Sequence, residues 1–185
     1  MRTFIAIELD NTIKDNISAL IQKLDTGGRN IRWVKPQGMH LTLKFLGEVS
    51  EDKITEVKSV LGSIAKDYTR FPLSLKGTGT FPSAARVPRV VWIGIEKNEF
   101  LQNIQDRVEK ELHNIRFPKE KRKYHAHLTL GRVKGLQNIE TVMETLNQYK
   151  EAEFGGMTVN KITLFKSMLK PTGAEYAILS EFHLK

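Results

Sequence analysis

The chain has 185 residues, of which 40% are hydrophobic and 27% charged, and its net charge at pH 7 is +8. This balance fits one large domain or two small lobes around a shared core, and the positive excess favours a polyanionic partner such as nucleic acid. The absence of cysteine excludes disulfides, thiol nucleophiles and cysteine-ligated metal sites, and no run reaches the about 18 apolar residues that a membrane span needs.

The chain begins with an alternating segment, residues 3–9, which predicts a strand. This segment reaches an acid at Glu8, too early for the apolar stretch of a signal peptide, so we expect a cytoplasmic protein. Apolar periodicity predicts further strands at 31–34, 39–46, 71–81, 90–96, 124–133, 154–165 and 176–184, and helices at 11–24, 50–65, 98–112 and 138–149. The order β-α-β-α-β therefore occurs twice.

The two halves also match residue by residue. The tetrapeptide His-Leu-Thr-Leu stands at 40–43 and again 87 positions later at 127–130. Further matches at similar offsets are FIAIE (4–8) with WIGIE (92–96), and Phe81 with Phe165. These matches indicate an internal repeat whose units are too small and one-sided to bury their own faces.

We therefore expect a single domain, residues 1–185, in which two lobes pack about a pseudo-twofold axis. The lobes would span about 1–83 and 88–167. The tail lies outside the repeat and would add one strand near 176–184.

The repeated tetrapeptide has a simple geometric consequence, because residues two apart in a strand point to the same face. His40 and Thr42 would share one face, and the two leucines between and after them would anchor the strand on the core. The same holds for His127 and Thr129. A pseudo-twofold axis would then place two imidazoles and two hydroxyls around one central space.

Such a space suits a phosphate ester. Threonine hydroxyls can donate to phosphate oxygens, and a histidine can be neutral or charged near neutral pH. One histidine could remove a proton from water while the other protonates a leaving alkoxide, which is metal-free acid–base catalysis. A single His-x-Thr is usually only a polar strand face; its duplication at matching places favours a function. The symmetry leaves donor and acceptor unassigned.

Two other interpretations remain open. His125 and His127 form a His-x-His that could bind a metal together with His40, although neither motif contains an acid and the chain has no cysteine. Alternatively, the chain is a non-catalytic RNA-binding module that uses a basic cleft. His113 and His183 have no partner in the repeat, so we expect structural or exposed positions for them.

Several basic residues are candidates for holding the phosphates of RNA. Lys44 shares the face of the first motif if the strand continues, and Arg132 follows the second motif. Arg86 and Arg89 fall in a loop between the halves, and the basic run 119–125 leads into the second motif.

The aromatic residues near the motifs divide into core and groove candidates. Phe45 should point with the motif leucines into the core, whereas Tyr124 and Trp33 are candidates for stacking on bases. The glycine-containing segment 77–81 lacks the lysine and helix of a phosphate-binding loop, so no nucleotide-driven mechanism and no cofactor are expected.

The motifs in this setting closely resemble the 2H phosphoesterase superfamily, and within it the bacterial and archaeal RNA 2′,3′-cyclic phosphodiesterases, also called 2′-5′ RNA ligases. The resemblance covers nearly the whole chain. The segments that carry it are RTFIAIEL (2–9), WVKPQGMHLTLKFLGEV (33–49), FPSAARVPRVVWIGIE (81–96) and HAHLTLGRV (125–133).

The resemblance implies an α+β fold of two lobes with antiparallel sheets around a central cleft. It implies hydrolysis of RNA 2′,3′-cyclic phosphate ends to 2′-phosphate ends. His40 would be the proton donor and His127 the proton acceptor, while Thr42 and Thr129 would bind phosphate oxygens. Arg132 matches a basic residue often found after the second motif.

The same resemblance implies that 2′-5′ ligation is a minor, ATP-independent reversal of this chemistry, with no metal and no cofactor. The partner would be RNA with a cyclic phosphate terminus, tRNA fragments among the candidates. Because both motifs lie in one chain, we expect a monomer with no obligate protein partner.

Overall fold

The computed structural model describes residues 1–83, 88–170 and 173–185. Its elements in chain order are β1 (Arg2–Glu8), α1 (Asn11–Leu24), β2 (Ile31–Trp33), a 3-10 helix (Pro36–Gly38), β3 (His40–Glu48), α2 (Glu51–Asp67), β4 (Phe71–Phe81), β5 (Val90–Ile95), α3 (Glu99–Asn114), β6 (His127–Val133), α4 (Ile139–Gln148), β7 (Glu153–Val159), β8 (Lys161–Lys170) and β9 (Gly173–His183). All four predicted helices form within two residues of their expected ends. The strand expected at 154–165 is instead two strands, β7 and β8.

Two of the helices start at side-chain caps. The Asp10 carboxylate accepts a hydrogen bond from the backbone N–H of Ile13 at 2.8 Å. The Asn98 side chain does the same for Leu101 at 3.0 Å. These caps satisfy backbone donors that have no partner within the helix, which fixes where α1 and α3 begin.

The strands form two antiparallel sheets, which confirms the predicted α+β class. The first sheet has the order β3-β1-β8-β9, and the second has the order β2-β6-β5-β4-β7. Every neighbouring pair in both sheets is antiparallel. The two motif strands β3 and β6 thus belong to different sheets, as the two-lobed prediction requires.

The sheets do not follow the predicted division at 1–83 and 88–167. β4 belongs to the first half of the chain but pairs with β5 in the second sheet, and β8 belongs to the second half but pairs with β1. The second sheet therefore contains two strands of the first half, β2 and β4, and the first sheet contains β8 of the second half. The two sheets therefore do not coincide with the two sequence ranges, because strands of each half pair in the sheet of the other half.

The strand register also corrects the alignment of the repeat. Ala6 lies opposite Thr42, and Trp92 lies opposite Thr129. Strands β1 and β5 therefore correspond at an offset of 86 residues, not the 88 suggested by the match of FIAIE with WIGIE. A slip of two residues keeps every side chain on its face, so the faces predicted from the sequence are unaffected.

One continuous buried cluster draws aliphatic side chains from both sheets and all four helices. A second, smaller cluster of Phe4, Ala6 and Phe165 is separate from it and lies on the other face of the first sheet. Within the described ranges, every helix is too short or too polar to cross a lipid bilayer.

Candidate active site

The two His-x-Thr motifs lie on β3 and β6, and each strand turns its motif to one face. In β3 the leucines of the motif are buried, whereas His40 and Thr42 are half-buried. β6 shows the same pattern around His127 and Thr129. Because side chains alternate along a strand, the histidine and threonine of each motif point away from the core. The prediction of these faces is confirmed.

β3 and β6 lie against each other although they belong to different sheets. Tyr124, just before β6, donates its hydroxyl hydrogen to the carbonyl oxygen of Thr42 at 3.0 Å. The backbone N–H of Val34, on the segment leading to β3, donates to the carbonyl oxygen of Leu130 at 2.8 Å. These bonds join the two segments that carry the motifs, so the two motif strands lie side by side.

Each motif strand contains a bulge three residues after its histidine. The extra residues are Leu43 in β3 and Leu130 in β6. A bulge shifts the alternation of side chains by one residue. The fifth residue after each histidine therefore returns to the motif face, and in both strands it is exposed: Phe45 in β3 and Arg132 in β6.

Two predictions about β3 were wrong because of its bulge. Phe45 was expected in the core, but its side chain is 69% exposed on the face of His40 and Thr42. Lys44 was expected on that face as a phosphate ligand, but it is only 6% exposed. The simple alternation that the sequence suggested holds as far as Leu43 and then reverses.

Lys44 makes a buried ion pair instead of facing the site. Its ammonium group lies 2.9 Å and 2.7 Å from the two carboxylate oxygens of Glu109 and 2.9 Å from the carbonyl oxygen of Pro118. The same carboxylate accepts the backbone N–H of Glu120 at 3.3 Å. Lys44 therefore ties β3 to α3 and to the start of the basic run, and is not available to a substrate.

Aromatic rings surround the imidazole of His40. Phe4 stacks on it with ring centroids 4.5 Å apart, and Tyr176 meets it edge-on at 5.0 Å and 90°. Phe165 lies 5.7 Å away, nearly parallel. These rings come from three different strands, β1, β9 and β8, so the imidazole sits in a largely apolar setting.

That setting lowers the pKa of His40 from its ordinary value of 6.5 to about 4, because burial penalises the charged imidazolium. A hydrogen bond to the backbone of Gly38 opposes this shift. Lys14 lowers the pKa further through its charge, and Glu8 raises it slightly. The neutral imidazole is therefore favoured when the site holds no anion.

His127 has a related arrangement on β6. Its Nδ1 lies 2.6 Å from the carbonyl oxygen of His125. Since a carbonyl can only accept, Nδ1 carries the proton and Nε2 is the basic nitrogen of the neutral ring. Phe81 meets the imidazole edge-on at 5.0 Å. In both motifs, a backbone group two residues before the histidine holds the ring.

The pKa of His127 is also lowered, chiefly by burial. The bond to the His125 carbonyl raises it, while the charges of His125 and Arg132 lower it. His127 can therefore accept a proton at neutral pH, because most of it is unprotonated there.

The predicted cationic ligands lie in different places. Arg132 is exposed on β6, and Arg89 is exposed beside it, where the Arg89 carbonyl oxygen accepts the backbone N–H of Val133 at 2.9 Å. Arg86 lies outside the described residues. The cations of the basic run 119–125 are exposed, and the run is held at its start by the Lys44 ion pair.

The two candidates for base stacking have internal contacts. Tyr124 is bonded to Thr42, and burial raises the pKa of its phenol. Trp33 packs against β6 so closely that a Cβ on Gly131 would lie 2.8 Å from its ring. Phe45, which was assigned to the core, is the aromatic side chain that β3 exposes beside the first motif.

The remaining histidines do not join the motif pair. His113 is exposed and its Nδ1 lies 3.3 Å from the carbonyl oxygen of Phe117, and His183 is exposed on β9. The ring of His125 lies 5.9 Å from that of His127. Among the described residues, no three histidine, aspartate or glutamate side chains converge to hold a metal ion.

The aromatic surroundings of His40 were missed by reasoning from sequence. In the sequence, the match of Phe81 with Phe165 indicates only a repeat, yet each of these rings lies beside one motif histidine. Tyr176 belongs to the tail, and nothing in the sequence pairs it with the first motif.

Comparison with known proteins gives a family match over most of the chain. The family LigT like Phosphoesterase matches residues 7–92 and again residues 93–176. The two matches divide the chain near its middle, as the internal repeat does.

Several relatives are similar over their full length. The RNA 2′,3′-cyclic phosphodiesterase of Methanothermobacter thermautotrophicus is 34% identical over 100% of this chain and 99% of its own. The RNA 2′,3′-cyclic phosphodiesterase of Thermotoga maritima is 36% identical over 98% of this chain and 94% of its own.

Two solved structures also match over nearly the whole chain, at lower sequence identity. TT0787 of Thermus thermophilus has a TM-score of 0.84 at 26% identity, covering 100% of this chain and 98% of its own. E. coli LigT complexed with 3′-AMP has a TM-score of 0.79 at 25% identity, covering 99% and 97%.

Proposed function

Because this chain belongs to the LigT-like phosphoesterase family, we propose that it hydrolyses RNA ends carrying a 2′,3′-cyclic phosphate and leaves a 2′-phosphate. The proposal rests on the pair of adjoining strands. Each strand has a histidine and a threonine on one face, and each has a bulge three residues after its histidine. The full-length relatives named for this activity support the choice of substrate.

The chemistry needs one base and one acid. His127 accepts a proton from water at Nε2 while the water oxygen bonds to phosphorus. The P–O3′ bond then breaks, and His40 gives its proton to O3′, which leaves a 3′-hydroxyl and a 2′-phosphate. Proton exchange with solvent resets the two imidazoles, so the cycle consumes only water and needs neither metal nor cofactor.

The difference between the two bulges supports this assignment of roles. Phe45 gives the His40 side an exposed apolar surface suited to a nucleoside, whereas its counterpart Arg132 gives the His127 side a positive charge suited to a phosphate. The leaving O3′ belongs to the nucleoside, and the attacking water approaches from the opposite side of phosphorus. That orientation favours an acid at His40 and a base at His127, as we propose.

Other residues complete the proposed site. The hydroxyls of Thr42 and Thr129 donate to the non-bridging phosphate oxygens. Arg132 and Arg89 contact the phosphates of the RNA strand, and the basic run 119–125 attracts RNA in a salt-dependent way. Both motifs come from one chain, so a monomer would contain the complete active site. We propose that it acts in the cytoplasm on RNA ends, including those of tRNA fragments.

Ligation is the same step with a different nucleophile. If the 5′-hydroxyl of a second RNA replaces water, the product is a 2′-5′ linkage, and the strained cyclic phosphate removes any need for ATP. Water is present at far higher concentration than RNA ends, so we propose hydrolysis as the main activity.

The test is the hydrolysis of an RNA oligonucleotide ending in a 2′,3′-cyclic phosphate, carried out in EDTA, with the position of the product phosphate determined. We expect full turnover in EDTA and a 2′-phosphate product. Activity that EDTA abolishes would point to a metal site. Binding of the RNA without turnover would favour the alternative of a non-catalytic RNA-binding module.

The pH dependence provides a second test. Activity should rise as His127 loses its proton and fall as His40 loses its own. Burial lowers both pKa values in the free protein, to about 4 for His40 and below 6.5 for His127. We therefore expect the bell-shaped profile of kcat/KM to peak between about pH 4 and 6.5.

The profile of kcat should lie at higher pH than that of kcat/KM, because a bound phosphate anion favours both imidazolium forms. Steady-state rates across pH 4–9 in buffers of constant ionic strength would measure both profiles. A flat kcat/KM between pH 5 and 8 would contradict the acid–base pair.

A further inference from the structure

Tyr176 contacts the first motif from β9, the last strand of the chain. Its ring meets the imidazole of His40 at 90°, with centroids 5.0 Å apart, and meets Phe4 at 81° and 5.2 Å. We propose that Tyr176 is a positioning residue that fixes the orientation of the His40 imidazole through these ring contacts. This inference rests on the proposed function of the motif histidines.

The rings around His40 restrain it in complementary ways. Phe4 stacks on the imidazole face at 4.5 Å and limits its tilt. Tyr176 stands perpendicular to the imidazole with ring centroids 5.0 Å apart, and we infer that it limits rotation of the imidazole about its Cβ–Cγ bond. Edge-to-face contacts at such distances are favourable in themselves, so this position costs little to maintain.

Tyr176 also contacts the turn that holds the other side of the imidazole. A Cβ on Gly38 would lie 3.4 Å from the Cε2 atom of Tyr176, which shows how closely the ring approaches the backbone there. The backbone of Gly38 also acts on His40, because it raises the pKa of the imidazole. Tyr176 thus touches both the imidazole and the segment whose backbone acts on it.

This arrangement differs from that of the second motif. Tyr176 lies on β9, opposite Ser167 in the β8–β9 pair. The rings near His127 are Phe81, Trp92 and His125. Within the described residues, these rings come from β4, β5 and the segment before β6, not from β7, the strand at the corresponding edge of the second sheet.

The first arm of the test compares the turnover of the RNA cyclic phosphate by variants of β9. Tyr176→Leu should lower kcat by about 10- to 100-fold with little change in KM, because a misplaced acid slows the chemical step more than binding. Tyr176→Phe keeps the ring and should stay within about threefold of the wild type. Glu175→Ala, an exposed position next to Tyr176 on the opposite face of β9, is the matched control and should leave kcat unchanged.

The second arm does not depend on activity. The charged groups facing the imidazole are Glu8 on β1 and Lys14 on α1, and neither is altered in the Tyr176 variants. NMR titration of ring-labelled histidine should therefore show the His40 midpoint moving up towards 6.5 in Tyr176→Ala, and staying in place in Tyr176→Phe.

These results separate the inference from the proposed function. If the wild type does not turn over cyclic phosphate, the proposed function fails, while the titration still decides whether Tyr176 holds the imidazole. Wild-type kcat in Tyr176→Leu, together with an unmoved His40 midpoint in Tyr176→Ala, would overturn the inference. Equal loss of kcat in Tyr176→Phe and Tyr176→Leu would also overturn it, because the hydroxyl rather than the ring would then be responsible.

Discussion

Replacing His127 by alanine should lower kcat for cyclic phosphate opening by about 10²- to 10⁴-fold, and replacing His40 should have a similar effect. The loss corresponds to about 3–5 kcal/mol of transition-state stabilisation for each proton transfer. Each imidazole lies on a strand whose leucines anchor it in the core. Truncation at the motif face should therefore leave the fold intact, and the loss should appear in kcat rather than in KM.

The matched control is His113→Ala, which removes an exposed imidazole on α3 and should leave kcat unchanged. Affinity for the 2′-phosphate product RNA, measured by fluorescence anisotropy, should stay within a few-fold of the wild type in all three variants. Near-normal turnover in either motif variant would exclude the two-histidine mechanism. A collapse of affinity in both variants would indicate that the histidines bind rather than catalyse.

Replacing Lys44 by methionine should lower the free energy of unfolding by about 3 kcal/mol, because the carboxylate of Glu109 would remain without its buried cation. The Lys44 side chain is 5% exposed and that of Glu109 is 18% exposed. Because Glu109 is partly exposed, we expect a loss of unfolding free energy at the lower end of the range of about 3–5 kcal/mol that is typical when one partner of a buried ion pair is removed. Urea unfolding at pH 7, followed by circular dichroism, measures this difference.

Two further variants define what that result means. Lys44→Met combined with Glu109→Met should recover most of the loss, because neither charge is then left buried. Lys53→Met removes the cation of an exposed pair with Glu56 and should cost less than about 1 kcal/mol. If Lys44→Met had full stability but greatly weakened RNA binding, Lys44 would be a substrate-binding residue, and the structural role inferred from its contacts would be wrong.

The faces of the two motifs could be predicted because a strand has a period of two. His40 and Thr42 had to share a face, and the adjacent leucines had to take the other. The same reasoning failed three residues later, because a bulge depends on how a strand pairs with its neighbour. Nothing in the residues around Leu43 marks it as the extra residue opposite β1.

The strand exchange was beyond sequence reasoning for a related reason. The repeat established that β4 and β8 correspond, as the match of Phe81 with Phe165 indicates, but not which half each strand pairs with. Either half could have kept its own strand without altering the hydrophobic pattern. The contact of Tyr176 with His40 depends on the same long-range pairing, because β9 reaches the first motif only through β8 and β1.

The exchange of strands also matters for how similar the two motif faces must be. If two separate copies of one half were paired instead, both would carry identical residues beside their histidines. Joining the two copies in one chain removes that constraint. One site-facing position can become Phe45 while its counterpart becomes Arg132, and a tail strand can reach one histidine without reaching the other. Covalent linkage therefore lets the two motif faces of a repeated framework carry different residues.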